Sequence, residues 1–233
     1  MAAYTKIIDL YGIPACGKST LAENMANLSA YGLKVATMRD CMLLALKNKW
    51  NFINSFTFKN VWVSVNLKLS TPLGKKRKEI SLWHVLKMGA YKEYVRKYTD
   101  YDIVITDHGD IQRFVSLERG DNLHESEKFR KACLHYLDAS LSTFYVYCKL
   151  NAEDALRRMT ERGRSSGRID LIDNPHKQLQ ELKKEANCFD FWTSIIKERD
   201  ALLCVLDMKE STLEIANKLY HRLKINNNLN QFK

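Results

Sequence analysis

The stretch YGIPACGKSTL, residues 11–21, decides how the chain is read. Within it Gly12, Gly17, Lys18 and Ser19 fill the pattern G-x-x-x-x-G-K-[ST]. They follow an apolar run that reads as a strand (KIIDLYG, 6–12) and precede a helical pattern over 18–31 that Gly32 ends. The two glycines let the backbone turn back so that successive N–H groups point inward, and the helix that follows aims its positive end at the same point. A phosphate chain fits such a cup. Gly12, Pro14, Ala15, Cys16 and Gly17 are expected to line it. Lys18 would reach the β- and γ-phosphates of a nucleotide, and the hydroxyl of Ser19, or less readily Thr20, would meet Mg²⁺.

Working outward, four more short runs read as strands: KVATM (34–38), DIVITD (102–107), TFYVYCKL (143–150) and LLCVLDM (202–208). Most are continuously apolar, which suits strands buried on both faces, so a parallel sheet covered by helices is expected. Helical patterns occupy 79–98, 125–139, 151–162 with Asn151 as N-cap, 176–199 opened by Pro175, and 211–224. The expectation is an α/β protein of three layers, α/β/α, with one domain over 1–225 and a flexible tail over 226–233. The stretch 41–78 has no clear period. It mixes Trp50, Phe52, Phe56, Phe58 and Trp62 with the basic GKKRK at 74–78.

The chain has 233 residues, 45% hydrophobic and 27% charged, and a formal net charge of +10. That surplus favours polyanionic partners, whether nucleotides, nucleic acid or anionic lipid. No apolar run is long enough to span a bilayer, and the six cysteines show neither paired nor metal-ligand spacing. Reduced thiols in a cytoplasmic protein are expected.

Two further features belong to phosphate chemistry. Asp107 closes the third strand, where ligands of open α/β sheets gather, and a carboxylate there suits a cation such as Mg²⁺. It can equally cap a turn. The run LRRMTERGRSSGRID (156–170) holds Arg157, Arg158, Arg162, Arg164 and Arg168, in a chain with 24 lysines and 13 arginines. Guanidinium pairs bidentately with phosphate oxygens, and Gly163, Ser165, Ser166 and Gly167 would let the segment close as a lid. A solvated basic helix end is the alternative.

P-loop, DHG after the third strand, arginine-rich run after the fourth and VLDMKESTLEIANKL at the end: in that order the chain resembles the nucleoside and nucleotide kinase group, thymidylate kinase-like proteins especially. The resemblance leaves out 41–78. It implies the P-loop NTPase fold with a five-stranded sheet of order 2-3-1-4-5, an ATP donor with Mg²⁺, and an acceptor bound opposite the loop by 41–98. It also implies donor-phosphate contacts from Lys18, Ser19 and Thr20, a lid built on Arg157, Arg158 and Arg162 over 156–170, and Asp207 near the adenine. The chain departs from the family at DHGDIQR (107–113), where His108 follows the acid and arginine is delayed to Arg113. Ala15 also stands where many such loops carry glycine.

The expected activity is transfer of the γ-phosphoryl of ATP to a nucleoside, nucleotide or similar small acceptor. Asp40 in MRDC (38–41) would serve a hydroxyl acceptor as base, or simply cap a helix over 41–50. Arg39, Arg113, His108, Arg164 and Arg168 would instead hold an acceptor that already carries phosphate. A polynucleotide end kinase would share the basic charge, and a regulatory P-loop NTPase would share the loop and Asp107. A homodimer is compatible with all three; nucleic acid is not the favoured partner, and no membrane partner is expected.

Overall fold

The apolar run Lys6–Tyr11 forms β1, and every residue from Ile7 to Tyr11 is buried. β-Branched and aromatic side chains suit a strand that meets no water on either face. In the computed structural model, which describes residues 5–27, 32–71, 82–118, 123–142, 144–163 and 169–230, β1 lies at the centre of a five-stranded sheet. The others are β2 (Val35–Thr37), β3 (Ile103–Thr106), β4 (Phe144–Lys149) and β5 (Leu202–Asp207). Their order is β2-β3-β1-β4-β5 and every pairing is parallel, as expected.

Helices connect the strands because parallel neighbours need a crossover. α1 (Lys18–Asn27) follows β1. Between β2 and β3 come α2 (Met38–Lys47), α3 (Lys49–Ile53), α4 (Phe58–Ser70) and α5 (Leu82–Tyr98). α6 (Asp110–Glu118) and α7 (Glu127–Ala139) lead to β4, α8 (Ala152–Arg162) and α9 (Pro175–Glu198) to β5, and α10 (Thr212–Asn230) ends the described chain.

The side chains on the sheet separate into two apolar clusters. In one, Ile7, Ala36 and Val104 pack against Met38, Cys41 and Ala45 of α2 and Met88, Tyr91, Tyr94 and Val95 of α5. In the other, Ile8, Leu10 and Tyr11 join α1, α6 to α8, α9 with its buried Phe189 and Trp192, and α10. All six cysteines are buried and free. No helix among the described residues is long and apolar enough to cross a membrane.

Several elements differ from the sequence reading. β2 stops at Thr37, because the Thr37 side chain accepts from the Asp40 amide while the Asp40 carboxylate accepts from the Thr37 amide, a capping box that starts α2 at Met38. Asp40 is therefore the third residue of α2 and does not cap a helix beginning at 41. The described part of 41–78 is three helices, with Thr57 capping α4. α6 is an additional helix, and α10 continues past the expected end of order at 225. Replacing Thr37 with Ala removes the cap and should lower stability by about 1 kcal/mol, read as a fall in the urea midpoint with an unchanged slope.

Candidate functional site

The loop after β1 is shaped by close backbone approach and left-handed turns. A Cβ on Gly12 would lie 2.3 Å from the Cys148 carbonyl oxygen of β4, so only glycine lets the two chains pass. Gly17 has φ of 101° and Ala15 has φ of 58°. The left-handed region costs a residue with a Cβ about 1–2 kcal/mol, so the alanine in place of glycine is held there by its surroundings. The Cys16 amide donates to the Ile13 carbonyl at 3.4 Å and closes the turn. Lys18 Nζ reaches back to the carbonyls of Gly12 at 2.8 Å and Ile13 at 3.0 Å. The first amides of α1 have no carbonyl of their own helix to meet, and they open beside this loop.

Ser19, one residue into α1, donates its hydroxyl to the Asp107 carboxylate just beyond β3. The two residues expected at Mg²⁺ are thus in direct contact. They line a crevice of about 380 Å³ with Arg39 and His108, and with Glu23, which was not expected from the sequence. Its position four residues after Ser19 puts both on one face of α1. His108 is exposed at the crevice; partial desolvation lowers its imidazole pKa below the ordinary value, Asp107 opposes that, and Lys18 and Arg113 add to it.

Asp40 does not line the crevice, and its carboxylate is occupied by the Thr37 hydroxyl at 2.6 Å and amide. Arg113 is turned inward, with a buried Nε, and its charge bears on Asp9 and His108. The arginine run is divided. Arg158 donates to the backbone carbonyls of Met208 at 2.7 Å and Cys16 at 3.4 Å, tying the loop after β5 to the loop after β1. Arg157 pairs with Asp154 at 3.0 Å, and Arg162 with Asp170 through contacts of 2.9 and 3.1 Å. Arg164 and Arg168 lie outside the described residues, as does GKKRK. Asp207 lines a separate recess of about 350 Å³ with Lys149, Asn151 and Lys209 at the carboxyl ends of β4 and β5.

Beneath the crevice lies a buried ionic cluster. Asp9, on the face of β1 that packs on α5, accepts the Asp110 amide at 2.6 Å through Oδ2, while its Oδ1 has no hydrogen-bond partner. A Cβ on Gly109 would fall 1.9 Å from this carboxylate, which accounts for glycine at the third position of DHG. Asp110 receives Lys92 at 2.7 Å and Tyr145 at 3.0 Å, and Ser140 as well. Burial opposes ionisation of Asp110, but Lys92 and these hydrogen bonds hold its pKa below the ordinary value. Burial and the neighbouring Asp110 charge push Asp9 up from 3.8 to about 8, against the pull of Lys92, the Asp110 amide and Arg113.

A second cluster joins Glu118, His124 and Cys188 near the carboxyl end of α6. There Glu118 accepts from Trp192 Nε1 at 2.7 Å and contacts His124, so the buried carboxylate is already satisfied by protein groups.

The Asp9 cluster sets a pH dependence. The folded chain holds the Asp9 proton more tightly than the unfolded chain, so the stability linked to Asp9 is complete below pH 3.8 and is lost as pH rises through about 8. Asp9→Asn keeps the shape of the neutral acid without the ionisation. The stability of the variant relative to wild type should therefore rise by about 1 kcal/mol per pH unit between pH 5 and 8, measured by urea unfolding at each pH. Parallel curves would contradict the assignment.

No protein-family model matches the chain, and no curated protein shows significant similarity to it.

Proposed function

We propose that the chain is an ATP- and Mg²⁺-dependent phosphotransferase of the thymidylate kinase-like type, acting on a nucleoside, nucleotide or similar small acceptor. The observation that carries this reading is the Ser19–Asp107 contact at the end of a loop with left-handed turns, beside a crevice that also presents Arg39 and His108. Hydroxyl and carboxylate are hard oxygen donors, and Mg²⁺ binds through one or two carboxylates together with substrate phosphates and water. The ion would supply charge neutralisation on the phosphates. The loop amides, Lys18 and Arg158 would hold the donor chain in line, and positioning of this kind accounts for most of phosphoryl-transfer catalysis.

The acceptor would enter the crevice from the side of α2, where Arg39 is exposed and Met38, Met42 and Met88 make the wall apolar. Arg39 suits an anionic acceptor. Asp40, engaged by Thr37, would have to leave its capping box to act as a base, so a phosphorylated acceptor is favoured over a hydroxyl one.

The experiment is ADP release from Mg·ATP with nucleosides, nucleoside monophosphates, sugar phosphates and free sugars added one at a time. Turnover should depend on one acceptor class, and Lys18→Ala should lower it by about 100-fold or more with the circular dichroism spectrum retained. Unchanged turnover in that variant would overturn the mechanism. Arg39→Ala should raise the acceptor KM or abolish turnover, whereas Asp40→Asn should change kcat little. The reverse pattern would identify a hydroxyl acceptor. Turnover stimulated only by an oligonucleotide or by a second protein would replace the reading with an end kinase or a switch.

A further inference from the structure

α4 is apolar on two sides. Asn60, Val63, Ser64 and Leu67 are buried, while Phe58, Val61, Trp62 and Leu69 face outward at helical spacing. Phe58 is 82% and Leu69 69% exposed, and Phe58 stacks on Trp62 with ring centroids 6.5 Å apart. The short α3 adds Trp50, 79% exposed, and Ile53, and α2 adds Leu43 and Leu46. Large side chains this exposed on consecutive helices mark a surface that meets something apolar.

The charge around them identifies what. From Cys41 to Thr71 there is no Asp or Glu, and there are four lysines, Lys47, Lys49, Lys59 and Lys68. Lys47, Lys49 and Lys59 are exposed beside the apolar side chains. We infer that the surface formed by α2, α3 and α4 docks this protein on an anionic lipid bilayer.

Aliphatic and aromatic side chains enter the boundary between headgroups and acyl chains, tryptophan settles at that depth, and lysine stems extend its ammonium groups back to lipid phosphates. Each lysine near an anionic surface strengthens binding about fivefold. A second copy fits less well, because a two-fold interface sets Lys47, Lys49 and Lys59 of the same patch against themselves. Single-stranded nucleic acid would use Trp50, Phe58 and Trp62 as stacking platforms but has no role for Leu43, Leu46, Ile53 and Leu69.

The test is flotation of the intact chain with vesicles of phosphatidylcholine containing about one-third phosphatidylglycerol, and with vesicles of phosphatidylcholine alone. The anionic vesicles should bind at least about tenfold more strongly than the neutral ones, with a blue shift of tryptophan fluorescence and weakening as salt rises. Phe58→Ser with Trp62→Ser should reduce binding by about tenfold or more with an unchanged melting temperature. The variant Lys47→Gln, Lys49→Gln, Lys59→Gln, which touches no packed side chain, should reduce it comparably. Lys18→Ala should bind vesicles like wild type, which separates this inference from the phosphotransferase reading. Failure to bind anionic vesicles, or binding by both surface variants equal to that of the wild type, overturns it. So does a dimer in sedimentation equilibrium, or oligonucleotide binding, that the Phe58 and Trp62 substitutions abolish.

Discussion

The complete desolvation of β1 organises the rest of the molecule. From Ile7 to Tyr11 no side chain is exposed, and parallel strands flank it on both edges, so neither its faces nor its edges reach water. At its carboxyl end the strand leaves the sheet against β4, at a point where the Cys148 carbonyl leaves no room for a Cβ. It must therefore turn at once, with the Gly12 amide donating to Gln112 Oε1 and the Cys16 amide to the Ile13 carbonyl. The hydroxyl of Ser19 and the carboxylate of Asp107 meet there because parallel register brings the ends of β1 and β3 side by side, with Asp9 opposite Thr106.

The same desolvation makes Asp9 unusual. A carboxylate fully inside a sheet costs several kcal/mol unless it is neutral or paired, and Asp9 is met by a backbone amide on one oxygen only. Its neighbour Asp110 takes the ammonium of Lys92, which is itself buried. A buried pair of this kind adds little net stability compared with apolar packing, but removal of either member leaves a stranded charge. Its effect is positional. Lys92 comes from α5, Asp110 from the first turn of α6, Tyr145 from β4 and Asp9 from β1, so the cluster fixes the loop bearing Asp107 and His108 relative to the sheet.

The strands are legible in the sequence because burial on both faces writes them as unbroken apolar runs, and the loop is legible because its glycines and lysine have fixed offsets. The order of the strands follows from the family resemblance and not from the residues themselves. What the sequence conceals has physical causes. Asp9 lies inside the apolar run KIIDLY, and nothing local distinguishes a carboxylate that α6 will approach from one that faces solvent. α4 shows no amphipathic period because both its faces are apolar, one against α5 and α7 and the other exposed. α6 does carry helical spacing, with Ile111, Phe114, Val115 and Glu118 buried together, and that pattern was available to be read. Arginine density in 156–170 marks a basic segment, but which arginine meets a carboxylate and which a carbonyl depends on the packing of α8 against its neighbours.

That division among the arginines decides where positive charge remains. Arg157 and Arg162 face Asp154 and Asp170, and each pair largely cancels its own field. Lys18 and Arg158 are held by the oxygens of Gly12, Ile13, Cys16 and Met208, which are dipoles and leave the cationic charge whole. Two cations fixed by neutral groups at one loop, beside the positive end of α1, make a positive field there. Under the proposed phosphotransferase reading, such a field would hold a triphosphate more firmly than a diphosphate.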